Sequence, residues 1–196
     1  MDALVSIVVP CRNEISHIAR CLDSLLNNDY PRMEILVVDG LSEDGTREVV
    51  GNYITRYPTI RMFDNPGKIT AKALNIGIGK AKGEYIMVAG AHSSFPSDYI
   101  SGLMKYLKQL DGVGVGGSMV THSDHSTIGH SIARVLSNRV GVGNSMFRLG
   151  TQEPVSVDTV PFGIYHRDVF SRAGLYDERL IRNQDIEFSK RLIHKV

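Results

Sequence analysis

An α/β fold, with a mostly parallel sheet flanked by helices in one domain, is what this sequence predicts, and three observations predict it. Short, almost wholly apolar runs rich in β-branched residues recur through the first 120 residues, as expected for strands buried on both faces of a parallel sheet. Between them lie stretches whose apolar residues fall at i, i+3, i+4 and i+7, the spacing of one helix face. Strand and helix signals alternate at a period that calls for right-handed βαβ units.

The first run is LVSIVV (4–9), followed by a helical stripe of Ile15, Ile18, Ala19, Cys21, Leu22, Leu25 and Leu26. EILVVD (34–39) is the second strand, and SEDGTREVVGNYITRY (42–57) a helix striped by Val49, Val50, Tyr53, Ile54 and Tyr57. Ser42 or Asp44 is its expected N-cap, because a short polar side chain can accept an unpaired first-turn N–H. IRMF (60–63) leads into the helix ITAKALNIGIGKAKG (69–83), with Gly83 expected as a left-handed cap. Gly77 and Gly79 lie inside that helix, where glycine costs about 1 kcal/mol, so a close approach is expected there. EYIMVA (84–89) is a strand, PSDYISGLMKYLKQL (96–110) a helix opened by Pro96 and Ser97, and VGVGGSMV (113–120) closes the series as a small-residue strand. Beyond it, residues 121–131 are polar and His-rich, 132–150 are partly helical, and 156–170 read as a strand running into a short helix.

The 196 residues suit one soluble domain, and 22 Lys plus Arg against 21 Asp plus Glu leave no global field of the kind nucleic-acid binders carry. No nucleic-acid partner is expected. Cys11 and Cys21 form no disulfide framework, which fits a reducing, cytoplasmic setting. The apolar start lacks a basic leader, and no run reaches the roughly 18–20 apolar residues of a membrane span. RLIHKV ends in what reads as an uncapped helix, so the chain is expected to be a C-terminally truncated piece. Membrane association, at the inner face of the plasma membrane, would then come through segments outside it.

In open α/β sheets ligands bind beyond the carboxyl ends of the strands. Residues 10–14, 39–44 and 90–94 all lie at such ends and should converge on one crevice. Two other patterns are decoys. DGVGVGGS (111–118) lacks the following helix that a dinucleotide fingerprint needs. His122, His125 and His130 sit in a polar stretch whose one carboxylate is Asp124, a poor metal frame that reads better as an acceptor-binding loop.

The segments SIVVPCRNE, LVVDGLSEDGT, NPGKITAKALNIGIGKAKGEYI, VAGAHSSFPSDYI and VDTVPFGIYHRDVFSRAGLYDERLIRNQDIEF, in this order, resemble the family 2 glycosyltransferases. The resemblance spans about residues 5–193 and looks closest to bacterial transferases that build exopolysaccharides of the succinoglycan type. It implies a GT-A-like fold, with residues 1–120 as the nucleotide-binding half and 121–196 as the acceptor-binding part. It also implies inverting transfer of a sugar from a nucleoside diphosphate sugar, UDP being the expected nucleotide, to a carbohydrate or lipid-linked acceptor.

Residue by residue, the resemblance puts Asp39 against the nucleoside base and Pro10, Arg12 and Glu14 against base and ribose. Lys68 falls near the diphosphate, and Asn75 and Ala91 fall at the nucleotide. Asp185 matches the family's general base, a group suited to taking the acceptor's proton. Asp158, Arg182 and Gln184 are secondary or acceptor-side candidates, with Gln184 where relatives have Glu. Each also has a plain reading: Glu14 and Asp185 as first-turn acids favoured by a helix dipole, Lys68 as a solvated charge. Gly40 stands where many relatives have a second Asp.

The family's Asp-x-Asp, which holds Mg2+ or Mn2+ against the diphosphate, reads Gly90-Ala91-His92 here. His92 can ligate a first-row ion; Gly90 cannot. Three arrangements stay open: a divalent cation held mostly by substrate and His92, cations such as Lys68 or Arg148 in its place, or a weak or inactive enzyme. Gly90 and Gln184 also leave room for a non-catalytic nucleotide-sugar-binding or scaffold subunit. A nucleotidyltransferase would need a Gly-rich basic loop after the first strand, which PCRNE does not supply.

Overall fold

The computed structural model describes residues 2–110, 112–121, 127–142, 146–151 and 153–195. Asp124, His122 and His125 therefore lie outside the described residues. The chain runs β1 (Val5–Cys11), α1 (Ile18–Leu26), β2 (Met33–Asp39), α2 (Thr46–Arg56), β3 (Ile60–Asp64), α3 (Thr70–Lys80), β4 (Tyr85–Val88) and α4 (Tyr99–Gln109). There follow β5 (Gly114–Val115), α5 (Thr127–Leu136), α6 (Arg139–Val142), α7 (Met146–Leu149), β6 (Ile164–His166), α8 (Asp168–Ala173) and α9 (Gln184–Lys195). The sheet order is β3-β2-β1-β4-β6-β5. β1 pairs in parallel with β2 and β4, and β2 with β3, while β6 is antiparallel to both β4 and β5.

Both faces of the sheet are covered. Val5, Ile7 and Val9 pack with Ile18, Leu22 and Leu25 of α1 and Ile100 and Met104 of α4. Val8, Leu36 and Ile86 face the other way, onto Leu74 and Ile78 of α3 and Phe170 and Phe188 of α8 and α9. Chain order jumps from β3 at the edge across α3 to β4, so the sheet's switch point lies between β1 and β4. A crevice is expected at their carboxyl ends.

Several local expectations give way to packing. Ile15 is in the loop before α1, not on its stripe, and is 42% exposed. The N-cap of α2 is Gly45 in left-handed conformation (φ 98°); Asp44 still accepts the Thr46 N–H at 3.0 Å. Gly83 is not a left-handed cap, since α3 ends on extended Ala81. A Cβ at Gly83 would stand 2.6 Å from the Leu4 carbonyl oxygen, so close packing on β1 explains it. Gly77 likewise lets α3 approach Val8 (2.3 Å to Cγ1), whereas nothing lies within 4 Å of a Cβ at Gly79. Of the strand expected over 113–120, two residues pair, because β6 inserts antiparallel between β4 and β5 and offers a short edge. Cys11 and Cys21 are both free and buried.

At the sheet end opposite the crevice, Glu34 gathers a buried network. It accepts hydrogen bonds from Ser6 Oγ (2.6 Å), Lys82 N (2.7 Å) and Arg61 Nη2 (2.6 Å). Burial pushes its carboxyl up, but those donors outweigh burial and leave it below its ordinary 4.5. A depressed folded-state pKa adds stability that is present above the unfolded value and lost as pH falls through the folded one. Glu34→Gln is thus expected to cost about 1.5–3 kcal/mol in urea unfolding at pH 7. The cost should shrink as pH falls from the unfolded carboxyl's value through the folded one, because the wild type then loses the same charge.

Candidate active site

The crevice is built from the first loop outward. Asn13, in left-handed conformation (φ 55°), turns the chain after β1. The loop is then pinned to the segment after β2. The Asn13 N–H donates to Ser42 Oγ (2.8 Å), that of Glu14 to Thr46 Oγ1 (2.8 Å), and that of Ile15 to Asp44 Oδ2 (3.0 Å). Ser42, Asp44 and Thr46 thus brace the loop that carries Arg12 and Glu14.

A cleft of about 440 Å³ opens over the carboxyl ends of β1 and β4. Pro10, Arg12, Glu14, Ala91 and His92 line it from the β1 and β4 ends, and Lys68 from the turn before α3. Gln184 and Asp185 close it from the first turn of α9, and Arg148 of α7 faces in as well. Met119, Phe147 and Phe162 complete an apolar wall.

The remaining sequence candidates stand elsewhere. Asp39 is fully buried behind Gly40 and does not line the cleft. Its carboxylate accepts from Ser42 Oγ (2.5 Å), Ser42 N (2.9 Å) and Arg47 Nη1 (2.6 Å); Arg47 also reaches Asp64 at 2.8 Å. Burial raises the Asp39 carboxyl, but the Ser42 and Arg47 hydrogen bonds outweigh it and hold the pKa below its ordinary value. Asn75 is a clasp on the loop after α8. It donates to the Tyr176 carbonyl (2.9 Å) and to Glu178 (3.0 Å) and accepts the Tyr176 N–H (2.9 Å), which leaves it outside the cleft. Asp158 lines an adjoining, largely apolar groove that shares Phe147, Val160, Pro161 and Tyr165 with the cleft, and Arg182 is exposed on the loop before α9.

The glycines at two expected carboxylate positions have been filled by neighbours. A Cβ at Gly40 would stand 3.0 Å from Arg12 Cδ, and one at Gly90 would stand 2.8 and 2.9 Å from Phe162 Cε1 and Cζ. Neither Arg47 nor Phe162 stood out in the sequence; VDTVPFG gave a signal, a bulky residue between Pro and Gly. Asn65 was also missed. It lines the cleft, and its buried Oδ1 has no hydrogen-bond partner among the described residues.

Asp185 sits in a built first turn. Asn183, at φ 60°, starts α9, and its carbonyl accepts the Glu187 N–H at 3.1 Å. Phe188 and Leu192 bury the helix against α8, and Arg191 donates to the Ala173 and Leu175 carbonyls at 2.5 and 2.7 Å. A carboxylate fixed at a cleft wall, facing cations across it, can take a proton from a bound hydroxyl.

The sequence model of Glycosyl transferase family 2 matches residues 6–174. The Methanococcus voltae dolichyl N-acetyl-alpha-D-glucosaminyl phosphate 3-beta-D-2,3-diacetamido-2,3-dideoxy-beta-D-glucuronosyltransferase is 29% identical over 96% of this chain and 61% of its own. Succinoglycan biosynthesis protein ExoA of Rhizobium meliloti is 29% identical over 95% and 57%. The chain thus spans 61% and 57% of the length of these relatives. Among solved structures, S. aureus TarS 1-349 in complex with UDP-GlcNAc superposes with a TM-score of 0.75 at 18% identity, over 96% of this chain and 53% of that one. The Pyrobaculum calidifontis mannosyltransferase PcManGT in complex with GDP-Man and Mn2+ gives 0.73 at 20%, over 98% and 52%. The fold is that of the GT-A glycosyltransferases.

The residues at the expected Asp-x-Asp position do not form a donor set for a divalent cation. His92 is 65% exposed at its side chain, with Nδ1 3.5 Å from Glu14 Oε1, and the second Glu14 oxygen lies 3.3 Å from His17 Nδ1. Position 90 offers no side-chain oxygen. Among the described residues no group of three His, Cys, Asp or Glu is arranged to hold a metal ion.

Proposed function

Because this chain belongs to glycosyltransferase family 2, we propose that it moves a sugar from a UDP-sugar to a hydroxyl of a carbohydrate or lipid-linked acceptor, with inversion. The setting is cell-surface or exopolysaccharide synthesis, on the cytoplasmic side of the plasma membrane. Residues 1–120 supply the donor side and 121–196 the acceptor side. No helix among the described residues is long and apolar enough to cross a membrane.

One observation carries the reading: Asp185 shares a single cleft with Arg12, Lys68 and Arg148, at the sheet's switch point. Asp185 takes the acceptor proton as the acceptor oxygen bonds to the anomeric carbon. The bond from that carbon to the diphosphate oxygen breaks on the opposite face, and fixed positive charge stabilises the departing UDP. Glu14 and Pro10 border the nucleoside, and Asp39 reaches the base once Ser42 or Arg47 yields a hydrogen bond. Asp158, Gln184 and Arg182 serve the acceptor side. The side chains at the β4 end form no cage for a divalent ion, so no step is assigned to one.

Isothermal titration tests the reading. UDP should bind with a Kd of about 1 µM to 1 mM, the usual range for enzyme substrates. Uridine should bind at least about tenfold more weakly, having lost the charged contacts. UDP-sugar should be hydrolysed or transferred. Absence of UDP binding at about millimolar concentration would sink the proposal. Gly90 and Gln184 favour one other reading, a non-catalytic nucleotide-sugar-binding subunit, which UDP-sugar binding without any turnover would establish.

A further inference from the structure

We propose that the cleft meets the charge of the donor diphosphate with its own cations, Lys68, Arg148 and Arg12, and binds the nucleotide without a protein-held divalent ion. This rests on the donor reading above and concerns how that donor's charge is met.

The place of the missing carboxylate is taken. An aspartate at 90 would drive its Cβ into the Phe162 ring, 2.8 and 2.9 Å from Cε1 and Cζ. The ring has little freedom to withdraw. It sits edge-on to Phe95 at 6.1 Å, its backbone is in left-handed conformation (φ 49°), and its carbonyl accepts from the Tyr99 hydroxyl at 3.2 Å. Glycine at 90 and phenylalanine at 162 are therefore a matched pair, and restoring a ligand means displacing a packed side chain. Of the three residues Gly90, Ala91 and His92, His92 is the one with a side chain able to ligate an ion, and it faces Glu14 at 3.5 Å.

The cations are placed the opposite way. Lys68, Arg12 and Arg148 all line the cleft, and among the described residues none has a carboxylate partner. Arg148 lies over the Phe147 ring at 5.5 Å and donates to Thr121 Oγ1 at 3.3 Å. By contrast Arg47, Arg61, Arg179 and Arg191 are each tied to an acid. Charges of one sign left unpaired in a concave site concentrate field there and favour an anion. Lys68 is held in left-handed conformation (φ 58°) just before α3, whose first residue, Thr70, also lines the cleft. The positive end of that helix dipole adds to the same field. Two carboxylates, Glu14 and Asp185, line the same cleft, so with His92 neutral the three cations leave a formal balance of +1 there, with Asp185 on the α9 side.

The test is UDP binding to the wild-type protein in EDTA, in Mn2+ and in Mg2+, with uridine alongside. The three UDP affinities should agree within about fivefold. Lys68→Met and Arg148→Met should each weaken UDP in EDTA by about tenfold or more, the scale of a charge-assisted hydrogen bond, and leave uridine unchanged. UDP binding tightened beyond that fivefold by a metal, or undiminished in both variants, overturns the inference and leaves the donor reading standing. No UDP binding in any condition overturns both.

Discussion

Asp185→Asn is expected to slow sugar transfer by roughly 10²–10⁴-fold, the usual contribution of a positioned acid or base. Affinity for UDP should be nearly unchanged. The amide keeps the shape of the side chain in the first turn of α9 and loses the ability to accept a proton. It also gives up a favourable meeting of carboxylate and helix dipole, worth about 0.3–1 kcal/mol, so a small loss of stability should accompany the large loss of rate. Initial rates, UDP titration and thermal unfolding on the same preparation separate the three. A variant with wild-type turnover would remove Asp185 from the chemistry. One that loses UDP binding in parallel with rate would assign it to the donor instead.

Phe188→Ala should have the largest effect on stability. Phe188 is 1% exposed and lies at the centre of a cluster with Tyr176 (centroids 4.5 Å apart), Phe170 (5.2 Å) and Tyr165 (5.9 Å). Truncating such a ring costs about 3–5 kcal/mol through lost burial and the cavity left behind. For a chain of this size each kcal/mol lowers Tm by about 2–4 °C, so a fall of roughly 6–20 °C is expected by calorimetry. Phe188 follows Asp185 on the same helix and lines the same cleft. Phe188→Leu, which keeps most of the buried volume, should recover stability and rate together. A loss below about 1 kcal/mol in Phe188→Ala would show that α9 is not anchored by this cluster.

Much of the architecture was legible because its causes are local. The apolar runs at 4–9, 34–39 and 84–89 became β1, β2 and β4, since a strand buried on both faces needs only a short run of apolar side chains. The stripe at Ile18, Cys21, Leu22 and Leu25 became α1 for the same kind of reason. Helix starts and glycines were less legible. Gly45 and Gly83 answer to backbone conformation or to a neighbouring strand, neither of which is written in the adjacent residues, whereas the close approach expected at Gly77 is there and the one at Gly79 is not.

The site divides along the same line. Sequence by itself determined that the loops at 10–14, 39–44 and 90–94 lie on one side of the sheet, because the direction of parallel strands settles where their carboxyl ends point. It also put Asp185 at the start of a helix. Only the tertiary structure decided that Asn75 clasps Tyr176, 101 positions away, instead of lining the cleft. It alone decided that Arg47 occupies the buried Asp39, that Arg12 lies over Gly40, and that Phe162 fills the space beside Gly90. These are contacts between side chains brought together by separate crossovers, and their identity depends on angstrom-scale packing that no periodicity along the chain encodes.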